Sequence, residues 1–225
     1  MQRRNVILSG FAALGLGGWY LTARNTGATL PGNALVGPAN AQTTEAEVDT
    51  STIPDMVLGN PDAAVEVIEY ASYTCPHCAT FHTGAFKQLK ADYIDTGKIK
   101  FTYREVYFDR FGLWASLLAR CGGQEKFFGI SDLIYAGQAE WTRAGEPAAI
   151  VEELRKIGRL AGMDNDTLET CLQDGDKART LVAWYQENAE ADGIDSTPSF
   201  VINGKKYQNM AYTDMKAILD EALES

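Results

Sequence analysis

Glu69-Tyr70-Ala71-Ser72-Tyr73-Thr74-Cys75-Pro76-His77-Cys78 carries an apolar run straight into two cysteines separated by two residues. The run starts at Val65. Alternation puts Val65, Val67 and Glu69 on one face and Ile68 and Tyr70 on the other, which predicts a strand over 65–71 covered on both sides. Beyond the cysteines, Phe81, Ala85, Phe86, Leu89 and Tyr93 recur at helical spacing, which predicts a helix over 75–93. A Cys-x-x-Cys pair at a strand-to-helix junction reads as a redox pair. The first turn of a helix presents unsatisfied N–H groups and the positive end of the macrodipole. A thiolate placed there is stabilised, its pKa falls, and it becomes both a nucleophile and a good leaving group.

The flanking sequence supplies a βαβ unit. Gly97 breaks the chain, and Ile99, Phe101 and Tyr103 alternate along a second strand over 99–106, which favours parallel pairing through a right-handed crossover. No strand pattern follows for some eighty residues. Helices are expected over 113–121, 124–141, 147–161, 164–172 and 178–191, with Pro147 in a first turn and Asp164 as a cap. That is too much helix for a loop, so it reads as an all-helical insertion over about 110–192. Strand signals return at Ser199-Phe200-Val201-Ile202, turn at Asn203-Gly204, and resume at Lys205-Lys206-Tyr207, a hairpin signature. Met215, Ile218, Leu219 and Leu223 then mark a closing helix over 210–223. The folded unit is expected over 56–225.

Upstream, Met1-Gln2-Arg3-Arg4-Asn5 is a basic start, and residues 6–23 carry no charge before Arg24. Residues 1–24 read as an export signal or membrane anchor, with an A-x-A site at Ala39-Asn40-Ala41 and a flexible linker over 25–55. All 30 acidic residues and 17 of the 20 basic ones lie after residue 41, so that part carries −13. Such a surface lacks the basic footprint that nucleic acid or anionic lipid requires.

The order βαβ, helices, ββα resembles the thioredoxin fold, and Pro76-His77 between the cysteines narrows the resemblance to the DsbA-like thiol–disulfide oxidoreductases over residues 55–225. That resemblance implies an α/β thioredoxin fold with an inserted helical subdomain. It implies a Cys75–Cys78 redox disulfide with Cys75 as nucleophile and Cys78 as the resolving partner, and Pro76 and His77 as tuners of the thiolate. Pro198 matches the family's cis-proline. Thr197 before it would bind an extended substrate strand through its backbone. Glu69, beneath the Cys-x-x-Cys turn, is placed to relay a proton to or from Cys78. Thr197 also occurs in related isomerases, which leaves oxidase against isomerase or reductase open. The partners implied are reduced or unfolded exported proteins and a DsbB-like membrane reoxidant, in the periplasm, with no cofactor and no metal.

Other readings fit less well. A c-type haem needs His after the second cysteine, where Ala79 stands. A zinc site on Cys75, Cys78 and His82 or His77 lacks a second Cys or His pair. A redox-inert chaperone or peptide-binding module would not need both thiols. Cys121 and Cys171 lie 50 residues apart in the insertion and are expected to form a structural disulfide in an oxidising compartment. His82 is expected on the helix surface or groove without chemistry, and Trp114, Trp141 and Trp184 in the core of the insertion.

Overall fold

The computed structural model describes residues 48–225. The signal or anchor over 1–24, the A-x-A site and the linker as far as residue 47 lie outside the described residues. Strands β1 (Met56–Gly59), β2 (Val65–Ala71), β3 (Ile99–Glu105), β4 (Ser199–Ile202) and β5 (Lys205–Gln208) form one sheet in the order β1-β3-β2-β4-β5. β2 and β3 are parallel, with Glu69 opposite Tyr103. β1 on β3, β4 on β2 and β5 on β4 are antiparallel. The central position of β2 explains its two apolar faces: Val65 and Val67 enter the main core, while Tyr70 packs with Val106 and Val201 on the opposite side. The β4–β5 turn has Asn203 and Gly204 at φ 45° and 79°, the left-handed pair that a two-residue hairpin demands.

The helix expected over 75–93 is interrupted. It comprises α1 (Pro76–Thr83), α2 (Ala85–Leu89) and a π-helical turn, Lys90–Ile94. Gly84 leaves helical geometry at φ −123° and ψ −90°. Just before it, the Thr80 and Thr83 hydroxyls donate back to the carbonyls of Pro76 and Ala79, a contact that bends helices. The inward spacing survives, since Phe81, Phe86, Leu89 and Tyr93 are all buried.

Six helices fill the stretch between β3 and β4: α3 (Arg110–Cys121), α4 (Gly123–Ala136), α5 (Gln138–Trp141), α6 (Pro147–Leu160), α7 (Asn165–Leu172) and α8 (Gly175–Ala191). The single helix expected over 124–141 is split at Gly137 into α4 and α5. Trp141 and Trp184 are buried, and Trp114 is half-buried against the core. Asp109, Asp164 and Asp174 cap α3, α7 and α8 by accepting first-turn N–H groups. Cys121 closes α3 and Cys171 lies in the last turn of α7; their sulfurs are bonded, with Cα atoms 5.7 Å apart. Helix α9 (Tyr212–Glu224) ends the described chain, its Met215 and Leu219 buried against the sheet.

The linker expected to reach residue 55 ends earlier. Thr50 donates to Glu187 at 2.7 Å, the Pro54 carbonyl accepts from Arg120 at 3.0 Å, and Asp55 receives both Nε and Nη2 of Arg104 at 3.0 Å. Fixed partners on β3, α3 and α8 make this segment part of the folded unit. Arg120 also holds Glu105 through two bonds of 2.6 and 2.7 Å, and both side chains are 1% exposed. This buried fork joins the end of β3 to α3, and so the sheet to the inserted helices.

Candidate active site

Strand β2 ends at Ala71, and the chain turns through Ser72, Tyr73 and Thr74 into Cys75. The Ser72 carbonyl accepts the Cys75 N–H at 3.1 Å, closing a tight turn. Pro76 is the first helical residue, where a missing N–H costs nothing. No side chain caps α1, and no acidic residue stands in its first turn, so its N–H groups are left for the Cys75 sulfur. Pro76 and His77 face solvent, and Cys78 is fully buried one turn inside.

The two sulfurs sit in opposite environments. Hydrogen bonding from the Cys78 thiol is the largest of several effects that lower Cys75 to about 5; Thr197 and the backbone N–H groups of Cys78 and His77 add to it, against a cost from burial. Cys78 moves the other way. Burial pushes it far above the ordinary thiol range, and the neighbouring Cys75 and Glu69 charges push further. One cysteine is therefore a thiolate at neutral pH while its partner remains a thiol, a polarised pair suited to thiol–disulfide exchange.

The Thr197–Pro198 peptide bond is cis. The Thr197 carbonyl accepts from the Cys75 thiol at 3.5 Å. The Thr197 hydroxyl is buried and has no hydrogen-bond partner of good geometry. It is near enough to favour the thiolate all the same.

Glu69 lies on β2 under this turn and is completely buried. Its partner is His82, whose Nε2 is 3.0 Å from both carboxyl oxygens. The expectation that His82 lies on the helix surface or groove is therefore wrong in its placement: it is 2% exposed. Its position four residues after Cys78 puts both on the inward face of α1, a spacing that pointed inward from the start.

Gln138 had no signal of its own in the sequence. It opens α5 after the Gly137 break, and its Nε2 donates to the carbonyls of Tyr73 and Cys75 at 2.8 and 2.9 Å. It thereby satisfies two buried acceptors of the active-site turn from across the insertion. Asp109 ties the same turn to α3, because the Thr74 hydroxyl donates to it at 2.9 Å while its other oxygen caps the helix.

The thiolate has a measurable consequence. It stabilises the dithiol form and does not exist in the disulfide form. Because the folded midpoint, about 5, lies below the ordinary value of 9.0, the stabilisation is lost as pH falls through 5 and is complete only above 9. The unfolding midpoint of the dithiol form, relative to the disulfide form, should rise steadily between those limits. A flat difference from pH 5 to 8, measured by thermal melts of both forms, would contradict the lowered thiol.

A thioredoxin family model matches residues 51–221. A putative protein-disulfide oxidoreductase of Rickettsia bellii is 39% identical over 171 residues, covering 76% of this chain and 65% of its own length. The chain thus spans a little under two thirds of that relative. Disulfide bond formation protein D of Bacillus subtilis is 27% identical, covering 75% of this chain and 77% of its own. The crystal structure of Wolbachia pipientis alpha-DsbA1 superposes with a TM-score of 0.69 at 28% identity, over 76% of this chain and 92% of that one. The family model shows that the chain belongs to the thioredoxin family, and its fold is similar to that of alpha-DsbA1.

Proposed function

We propose that this protein is an exported thiol–disulfide oxidoreductase that introduces disulfides into folding proteins. The observation that carries the reading is the opposed pair of sulfurs, a lowered Cys75 against a raised Cys78. Stabilising the Cys75 thiolate stabilises the reduced enzyme, and so makes its disulfide a stronger oxidant. A substrate thiolate attacks Cys75 of the Cys75–Cys78 disulfide. The S–S bond breaks, its electron pair goes to Cys78, and a mixed disulfide forms on Cys75. A second substrate thiolate then attacks the substrate sulfur and expels the Cys75 thiolate. Substrate is oxidised by two electrons and the enzyme is left as a dithiol. A DsbB-like membrane protein then restores the disulfide.

Substrate chain would lie along the Thr197 backbone beside Pro198. Phe108, exposed, with Phe111 and Trp114 half-buried, flanks Asp109 and hence the Thr74 side of the thiol. This apolar margin suits unfolded polypeptide. Glu69 is the proton relay for Cys78, since no water reaches that sulfur directly. Pro76 and His77 complete the helix start that tunes Cys75.

Isomerase or reductase action uses the same sulfurs in the opposite sense. A protein-disulfide isomerase of Novosphingobium aromaticivorans superposes with a TM-score of 0.69 at 26% identity. Equilibration of the Cys75–Cys78 couple with glutathione, followed by oxidative refolding of a reduced substrate, decides between the two. An oxidising potential with no unscrambling activity supports the proposal, and a strongly reducing potential overturns it.

Cys121–Cys171 is proposed to persist in the same oxidising compartment as a structural brace. It closes a separation of 50 residues between α3 and α7. Replacing both cysteines by alanine is expected to lower unfolding stability by about 2–4 kcal/mol with the exchange reaction intact. Urea titrations read the first effect, and peptide mapping that finds Cys121 and Cys171 as free thiols in exported protein would remove the premise.

A further inference from the structure

We propose that His82 is a positioning residue for proton transfer at Cys78: with Glu69 it forms a buried dyad that holds one exchangeable proton beneath the redox disulfide. The inference rests on the disulfide-exchange reading and adds to it a residue on a different element from Glu69.

Burial of Glu69 demands a counter-charge or a proton, because an isolated buried carboxylate is prohibitively desolvated. Among the described residues no Lys or Arg pairs with it, and His82 is its ion-pair partner. The groups packed around the pair are Tyr103 from β3, Tyr135 from α4, Phe81 from α1 and Phe86 from α2. The His82 ring stacks on Tyr135 at 4.2 Å and 10°, and meets Tyr103 edge-on at 5.6 Å. Tyr73, packed on Tyr103 and Tyr135, is the next titratable group outward. Burial drives all three phenols far above their ordinary range, so none of them trades a proton near neutral pH. Their hydroxyls are already committed, Tyr103 to Tyr135 and Tyr73 to Ser131, each at 2.6 Å. Cys78 and the dyad are left as the groups between which a proton moves.

When the disulfide opens, the electron pair arrives on the Cys78 sulfur in a site where a thiolate is strongly disfavoured. The dyad passes its proton to that sulfur, leaving a Glu69 carboxylate beside a neutral His82, and takes a proton back from water afterwards. In the reverse direction Cys78 returns its proton to the dyad as it attacks the mixed disulfide. His82 Nε2, 3.0 Å from both carboxyl oxygens, gives the returning proton a second place on the dyad.

The test is the pH dependence, from 4 to 9, of the rate at which a small dithiol reduces the oxidised protein, corrected for the reagent's own ionisation. His82→Gln keeps an amide in the same space and holds no proton. It is expected to be roughly tenfold slower at pH 7, at or below the usual range of general acid–base catalysis, and to lose an inflection that wild type shows. Glu69→Gln/His82→Gln should be no slower than the slower single variant, since both act through one proton. A His82→Gln profile superimposable on wild type, or single effects that multiply in the double variant, overturns the proposal. Should the variants fail to fold, ring ¹⁵N shifts in wild type decide it, because the chain has only His77 and His82. His82 must then lose its proton at different pH values in the oxidised and reduced forms, and identical behaviour refutes the dyad. A wild type that exchanges no disulfide at all sinks the functional reading, whereas an unchanged His82→Gln profile sinks only the role of His82.

Discussion

Cys78→Ala is expected to raise the Cys75 midpoint from about 5 toward the ordinary 9.0, because the Cys78 thiol is the largest single stabiliser of that thiolate. The rise stops short of 9.0. The first-turn N–H groups of α1 and the Thr197 side chain remain, and they still favour the charged form. The same change removes the resolving sulfur. Mixed disulfides on Cys75 should then accumulate, and turnover should fall by roughly two orders of magnitude or more. Thiolate absorbance at 240 nm against pH reads the first effect, and non-reducing electrophoresis with a disulfide-bonded substrate, whose S–S bond the Cys75 thiolate opens, reads the second. A midpoint still at 5 would show that the helix start alone sets the thiolate, and that the partner cysteine does not.

The second large effect is on stability and lies away from the sulfurs. Arg120→Ala leaves Glu105 buried, charged and without its two bonds, and also orphans the Pro54 carbonyl. Removing one partner of a buried pair costs about 3–5 kcal/mol, since the remaining charge has lost its only compensation. For a domain of this size the melting point should drop by roughly 6–20 °C. Arg120→Leu with Glu105→Leu should recover most of the loss, because apolar residues of similar volume pay no desolvation penalty. A small effect of Arg120→Ala in urea titrations would mean that water reaches Glu105. Substituting the exposed Lys156, paired with Glu153 on the surface of α6, should change nothing measurable, since such pairs are solvated and screened.

The strand and helix identities were largely legible because they depend on local pattern. Alternation along 65–71 and 99–106, the Asn203-Gly204 turn and the helical spacing from Phe81 to Tyr93 each report a periodicity that the backbone imposes. Interruptions were not legible. Gly84 and Gly137 each break a helix whose apolar spacing runs on across the gap, so periodicity alone cannot register the break. The polar networks were invisible for a different reason. Gln138 reaches Tyr73 and Cys75 across more than sixty residues of chain, and Arg104 joins Asp55 to the Tyr70 hydroxyl, which donates to Asp192. No local pattern encodes such meetings.

By itself the sequence determined that two cysteines would sit at the start of a helix behind a covered strand. That placement decides which sulfur stands at the helix start and which is one turn inside, and it follows from spacing alone; packing buries both, Cys75 at 9% exposure. The tertiary structure decided what surrounds them. It put the Thr197 carbonyl against Cys75 and the Gln138 amide on the turn. It also turned His82 from a supposed surface residue into the buried partner of Glu69. Burial is the physical reason. The ionisation of a group depends on its distance from water and from other charges, and both are properties of the packed chain.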